Sequence, residues 1–169
     1  MFDLKPISRE AIPAALENAE RYRLLNEPAE AESICRDVLQ IDPRNQKALV
    51  MLLLALTDQF GAGRGAAHAD AQQLLPRLLG EFERAYYAGI ICERWGKAQL
   101  DGGAPGHVVY DWLRLAMDWF EKAEAVSQPG NDDAILRWNA CARFIESNEQ
   151  VRPHEAQVGL ADDFGDEIP

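Results

Sequence analysis

The chain has 169 residues, of which 47% are hydrophobic and 27% are charged, a composition typical of one ordinary globular domain. Its 28 acidic residues outnumber its 17 basic ones, so the formal net charge is −11. Because binding to a phosphate backbone requires clustered Lys and Arg, this balance argues against nucleic acid and anionic membranes as partners. Acidity also favours solubility, and that simpler explanation of the charge stays open.

The sequence contains no segment that predicts export or membrane insertion. Residues 1–15 lack the basic start and apolar run of a signal peptide. The most apolar stretch, residues 48–56, is far shorter than the roughly 20 residues that a spanning helix needs. Three widely spaced cysteines, Cys35, Cys92 and Cys141, lie in apolar helical segments. They predict free, buried thiols and therefore a cytoplasmic protein.

Apolar residues recur with helical periodicity along the chain, and no convincing strand alternation is present. Seven helices are predicted, at about 10–25, 29–41, 45–60, 66–79, 81–100, 107–126 and 132–148. Pro76 should kink or shorten the fourth helix. Gly89 and Gly96 in the fifth each cost roughly 1 kcal/mol relative to Ala, so we expect a neighbouring helix to pack closely there.

The C-terminal end differs from the rest of the chain, because apolar periodicity is lost and acidic residues accumulate. We therefore predict a helical domain over residues 1–149. Residues 150–169 are predicted to form an acidic tail that is disordered or loosely docked.

An apolar pattern in the first predicted helix recurs 34 residues later in the third. In the first helix the pattern consists of Leu16, Ala19 and Tyr22, and in the third helix it consists of Val50, Leu53 and Leu56. Between them, the second helix carries Ala31, Cys35 and Val38, and Pro43 closes the unit. In these residues the chain resembles the tetratricopeptide repeat family, which pairs two helices in each unit.

Two further units fit the same pattern less closely. The second unit carries Ala71, Leu75 and Leu78, and the third carries Ala116, Phe120 and Ala123 before Pro129. The resemblance implies an all-α fold in which antiparallel helix pairs stack as a short solenoid of about three repeats, with the last helix as a cap. Two long insertions and Pro76 depart from the family pattern, so a generic helical bundle is the alternative.

The resemblance also implies that the first helix of each pair lines a concave groove. Because Arg is a good hydrogen-bonding partner for carboxylates, we expect this groove to hold a peptide or helix of another protein with acidic character. The Asn and Lys set with which some members of the family clamp a terminal carboxylate is not visible. The candidate groove residues are Leu16, Glu20, Arg23, Leu24, Lys47, Val50, Leu54, Tyr86, Ile90, Arg94, Leu136, Arg143 and Phe144.

The sixth helix is apolar on more than one face and carries Tyr110, Trp112 and Trp119. A helix of this kind is either central in the fold or covered by a partner. These three residues are therefore candidates for a second interface, and central packing is the alternative.

No constellation in the sequence predicts catalysis, a metal or a cofactor. His68, His107 and His154 lie far apart, and neither CxxC nor HExxH occurs. We therefore expect a protein-binding module, an adaptor or a chaperone-like protein, rather than an enzyme. The alternative is a non-catalytic structural subunit of a larger assembly, and the sequence leaves homo-oligomerisation open. A further hypothesis is that the tail acids, at positions 162, 163, 166 and 167, occupy the groove of their own chain.

Overall fold

The computed structural model describes residues 2–62 and 65–154 of the chain. Within these residues it has seven α-helices and no strand, which confirms the all-α class. The helices are α1 (Ile12–Leu24), α2 (Pro28–Ile41), α3 (Gln46–Thr57), α4 (Gly65–Leu74), α5 (Glu81–Asp101), α6 (Gly106–Ala125) and α7 (Asp133–Ser147). Short 3-10 segments lie at Arg9–Ala11, Phe60–Ala62 and Leu75–Arg77.

The helix ends follow signals that are visible in the sequence. Pro28 is the first residue of α2, where its missing N–H leaves no hydrogen bond unmade. Asn45 caps α3, because its side-chain oxygen accepts a hydrogen bond of 3.0 Å from the Ala48 amide. Pro76 shortens the fourth helix as expected, since α4 ends at Leu74 and a 3-10 turn replaces its predicted last turn.

Each helix contacts the next one in the chain, and α5 with α6 is the most extensive of these pairings. In addition, α3 contacts both α1 and α5. The odd-numbered helices α1, α3 and α5 are therefore neighbours in space although a complete helix separates each from the next in sequence.

The central helix α5 contributes to two hydrophobic clusters. Its residue Ile91 packs into a cluster with α1–α4 that includes Leu53. Its residue Ile90 packs into a second cluster, with α6 and α7, that includes Leu113 and Phe120. Because α5 is buried on two sides, it joins the N-terminal and C-terminal parts of the domain into one body.

Two glycines of α5 permit the close approach of α6, as the sequence predicts. A Cβ at Gly89 would lie 2.5 Å from a ring carbon of the fully buried Phe120. A Cβ at Gly96 would lie 3.0 Å from the Trp112 Cβ. The helix-propensity penalty of these glycines is thus offset by packing that no larger residue allows.

The first residues of the predicted tail pack against the helical domain. Val151 is completely buried in the cluster of α5, α6 and α7. The Arg152 guanidinium donates to the carbonyl oxygens of Ile145 (2.7 Å) and Asn148 (3.0 Å), at the end of α7. An apolar side chain and a C-terminal cap therefore anchor this segment. The remainder of the predicted tail, residues 155–169, lies outside the described residues.

Among the described helices, none has both the length and the apolar character that crossing a lipid bilayer requires.

Gly89→Ala should destabilise the protein although alanine has the higher helix propensity. The propensity gain is about 1 kcal/mol, and overpacking against Phe120 costs about 1–3 kcal/mol. We expect a net loss of about 1 kcal/mol in the free energy of unfolding, measured by urea denaturation. Gly65→Ala in α4 is the matched control, because a Cβ there meets nothing within 4 Å. Stabilisation by both substitutions would contradict the close packing of α5 on α6.

Candidate functional site

Two groups of ion pairs, which share helix α5, link it to α1, to the residue after α3 and to α7. Helices α1, α5 and α7 contribute basic side chains, and acidic ones come from α5 and from the residue that follows α3. We call this set the odd-helix network. Its members are Arg23, Asp58, Glu93, Arg94, Lys97 and Arg137.

The first part of the network is centred on Asp58, the residue directly after α3. Its Oδ2 accepts a hydrogen bond of 2.7 Å from the Nε of Arg23 in α1. Its Oδ1 pairs with the Nη1 of Arg94 in α5, and that nitrogen also donates to the Thr57 hydroxyl at 2.7 Å. One carboxylate thus ties together α5 and the C-terminal ends of α1 and α3.

The second part of the network is centred on Glu93, whose side chain is only 2% exposed. Its Oε1 lies 2.6 Å from the Nζ of Lys97, and its Oε2 lies 3.6 Å from the Nη1 of Arg137 in α7. Among the described residues, Oε2 receives no hydrogen bond. Both cations lower the cost of burying this carboxylate, because an isolated charge is strongly disfavoured at such burial.

The Arg137 guanidinium keeps its charge in this setting. Burial lowers its pKa, but a hydrogen bond with Tyr86 and the charge of Glu93 raise it, and the net shift is upward. Lys97 also lies 5.1 Å from the ring centroid of Phe144, so the ammonium group contacts an aromatic face of α7. These contacts fix α5 and α7 relative to each other.

Helical spacing explains why α5 presents so many of these groups together. Positions 86, 90, 93, 94 and 97 fall at i, i+4, i+7, i+8 and i+11, which places them on one stripe of the helix. The whole network contains four basic side chains and two acidic ones, a net charge of +2. This excess belongs to the six ion-paired side chains alone, because the odd-numbered helices together with Asp58 carry nine acidic and eight basic residues.

Most of the predicted groove residues lie at or near the surface. Arg23 and Arg94 belong to the odd-helix network. The half-buried groove residues are Val50, Leu54, Tyr86 and Phe144. The exposed ones are Glu20, Leu24, Lys47, Leu136 and Arg143.

Two predicted groove residues are core residues, and their assignment to a binding surface is corrected. Leu16 is 4% exposed and packs with Ile12 and Val38, where α1 meets α2. Ile90 is 1% exposed and lies in the cluster of α5, α6 and α7. Because both side chains are enclosed by neighbouring helices, neither is accessible to a partner.

Exposed residues of the odd-numbered helices provide both apolar and cationic contacts. Leu24 on α1 is 83% exposed, and Leu136 on α7 is 63% exposed. Lys47 and Arg143 are exposed and form no ion pair with any described residue. The odd-numbered helices therefore carry exposed apolar side chains on α1 and α7 and unpaired positive charges on α3 and α7.

Sequence reasoning did not include Lys97 and Arg137 among the candidate groove residues. Lys97 follows Glu93 by four residues, a spacing that favours an ion pair on one helix face and was visible in the sequence. Arg137 reaches Glu93 only because α7 packs beside α5. No local pattern indicates that contact.

The candidates for a second interface are half-buried on α6. Tyr110, Trp112 and Trp119 all pack against the cluster of α5, α6 and α7. Trp112 also contacts the ring of His68, and Trp119 lies 4.1 Å beneath the Nζ of Lys122. Packing within the domain explains the apolar character of α6, and their role in an interface stays a prediction.

The cysteines are buried and free, as predicted, and their environment makes them poor nucleophiles. Burial raises the pKa of Cys35 to about 12, that of Cys92 to about 11 and that of Cys141 to about 12. Since the thiolate is the reactive species, these groups are inert near neutral pH. Over residues 2–62 and 65–154, no group of three or more His, Cys, Asp or Glu side chains is placed to hold a metal ion.

A cleft of about 610 Å³ lies on the even-numbered helices, between α2 and α4. Leu52 and Leu56 of α3 line it, together with Gln73 of α4. Arg36 and Asp70, 3.8 Å apart, face each other between the two helices. This cleft lies on a different surface from the odd-helix network. It is the comparison site for tests of binding on the odd-numbered helices.

The sequence matches no protein-family model, and it matches no curated protein.

Asp58→Asn should destabilise the fold modestly and remove the coupling between Arg23 and Arg94. Each partly exposed ion pair contributes about 0–1 kcal/mol after solvent screening, so we expect a loss of about 1 kcal/mol in the free energy of unfolding. In a double-mutant cycle, Arg94→Gln should be less destabilising in the Asp58→Asn background than in the wild type.

The control for this cycle is Asp111→Asn, an exposed aspartate of α6 without an ion pair among the described residues. It should leave the stability unchanged. Strictly additive effects of Asp58→Asn and Arg94→Gln would show that this ion pair does not contribute to stability.

Proposed function

We propose that this chain is a tetratricopeptide-like protein that binds an acidic, amphipathic segment of another protein on its odd-numbered helices. It would act as an adaptor or a chaperone-like module. The observation that carries the proposal is the odd-helix network, in which four basic and two acidic side chains link α1, α5, α7 and the residue after α3. Local charge of the opposite sign steers a partner and fixes its orientation.

We infer that the helices stack as a short solenoid in which α1–α2, α3–α4 and α5–α6 are the pairs and α7 is the cap. In such a stack, the first helices of successive pairs lie side by side. The contacts of α3 with α1 and α5 support this arrangement, as does the ion pairing of α5 with α7. The odd-numbered helices would then form the concave face.

The chemistry of the exposed groups defines the kind of segment that fits. A guanidinium has five N–H donors, and the described contacts of Arg23 and Arg94 use only some of them, so donors remain for a carboxylate. Lys47 and Arg143 add exposed positive charge. Leu24 and Leu136 favour apolar side chains at the ends of the segment. A peptide or helix that combines carboxylates with flanking apolar residues meets all these requirements.

The proposal includes no catalytic step. It places the protein in the cytoplasm, where buried thiols such as Cys35, Cys92 and Cys141 stay reduced.

A second candidate function is that of a structural subunit in a permanent assembly. It is favoured by the exposed apolar residues where α1 ends, since Leu24 and the following Leu25 are 83% and 60% exposed. A solenoid end with this composition would be covered by a neighbouring subunit. Such a subunit should self-associate when it is produced without its partners.

The test is affinity purification from the native cells with quantitative mass spectrometry, for the wild type and two charge-reversal variants. Lys47→Glu with Arg143→Glu reverses two exposed cations of the odd-numbered helices and breaks no described ion pair. Lys5→Glu with Arg44→Glu makes the same charge change outside the odd-numbered helices. The partner should be depleted about tenfold or more with the first variant, a difference of about 1.4 kcal/mol.

Both variants should retain wild-type helix content by circular dichroism. Equal recovery of the partner with all three proteins would move the contact to another surface. Recovery of a stoichiometric multi-subunit complex, together with self-association of the isolated chain, would favour the structural subunit instead.

A further inference from the structure

The cleft on the even-numbered helices is lined by two matching stripes of side chains. On α2 and the turn after it, the lining residues occupy positions 36, 39, 40 and 43. On α4 and the 3-10 segment after it, they occupy positions 70, 73, 74 and 77, each 34 residues after its counterpart. The spacing i, i+3, i+4 and i+7 places each set on one face of its helix. The two helices therefore present equivalent faces to the cleft.

An arginine contact joins the two sides of the cleft at each end. At one end, Arg36 of α2 lies 3.8 Å from Asp70 of α4. At the other end, the Nη2 of Arg77 donates a hydrogen bond of 2.9 Å to the carbonyl oxygen of Pro43. The two contacts are seven residues apart on each side, which corresponds to about 10 Å along a helix axis. A polypeptide running along the cleft would have to break both contacts, whereas a short ligand fits between them.

The floor of the cleft is apolar and continuous with the core. Leu52 and Leu56 of α3 and Leu74 of α4 are buried, and all three line the cleft and belong to the cluster formed with α1–α4. Leu39 of α2 packs against the same cluster. The volume of about 610 Å³ lies within the range of about 300–1,000 Å³ that is usual for small-molecule sites. An apolar group held between the two arginine contacts would rest on these leucines.

The charges of the lining favour a single negative charge at one end of the cleft. Arg36 is already paired, with Glu32 at 2.8 Å and with Asp70, the one acidic residue among the described lining residues. Arg77 forms no ion pair with any described residue. Its hydrogen bond with Pro43 uses one of five N–H donors, so donors remain for a carboxylate.

We propose that this cleft binds a small amphiphilic monocarboxylate. The carboxylate pairs with Arg77, and the apolar body lies on Leu39, Leu52, Leu56 and Leu74, pointing toward the contact between Arg36 and Asp70. Because α2 and α4 each pack on α3, the ligand bridges two helices and covers an edge of the core. The site is separate from the odd-numbered helices, so the proposal does not depend on the proposed function.

The experiment is a titration of the full chain with sodium octanoate, followed through the amide signals in NMR spectra. Octanoate should shift the signals of residues 36–43 and 70–77 saturably, with a dissociation constant on the order of 1 mM for a ligand of this size. Octylammonium chloride has the same alkyl chain and the opposite charge. It should bind the cleft at least about tenfold more weakly, because it cannot accept hydrogen bonds from Arg77.

Charge variants of the cleft test the role of Arg77. Gln73→Glu adds a negative charge to the lining and keeps the hydrogen bond between Arg77 and Pro43, and Arg77→Gln removes the positive charge. Each should weaken octanoate binding by about tenfold or more. Arg143→Gln is the matched control, because Arg143 is an exposed arginine of α7 and does not line the cleft. It should bind octanoate as the wild type does, and all variants should retain wild-type helix content by circular dichroism.

Octanoate shifts that are absent, spread over the whole molecule or centred on another surface would overturn the proposal. Equal binding of octylammonium in the cleft would overturn it as well, and so would wild-type affinity in Gln73→Glu. Because no partner protein is present in the titration, its result is independent of the purification experiment.

Discussion

The close contact between α5 and α6 is the constraint on which the rest of the structure depends. Because Gly89 and Gly96 carry no side chains, Phe120 and the backbone of α6 lie directly against α5. That contact fixes the rotation of α5 about its axis. With the rotation fixed, the stripe that holds Glu93, Arg94 and Lys97 faces the other odd-numbered helices. Ile91 then points into the N-terminal cluster.

The charge distribution follows from this orientation and links the fold to its proposed function. Buried Glu93 is paired with two cations, and Asp58 is paired with two arginines from separate helices. Each acidic centre thereby carries an excess of one positive charge. The ion pairs around Asp58 and Glu93 therefore leave basic side chains in excess at two points of a strongly acidic protein. In the proposed function, the side chains that hold the helices together would also contact the partner.

Helix positions could be predicted from the sequence, because prolines, Asn45 and apolar periodicity act locally. The close packing at Gly89 and Gly96 was also predictable, since an uncompensated glycine in a helix is unfavourable. Long-range features could not be predicted from the sequence. Leu16 and Ile90, for example, are core residues rather than groove residues. Their burial depends on which side of each helix its neighbours cover, and periodicity does not specify that side.

Site-specific photocross-linking tests most directly whether the odd-numbered helices are the binding surface. A benzophenone amino acid placed at Leu136, which is 63% exposed on α7, should form adducts with the partner in living cells. The same group at Gln73, in the cleft between α2 and α4, should form none. Adducts from Gln73 and none from Leu136 would contradict the assignment and move the binding site to the even-numbered helices.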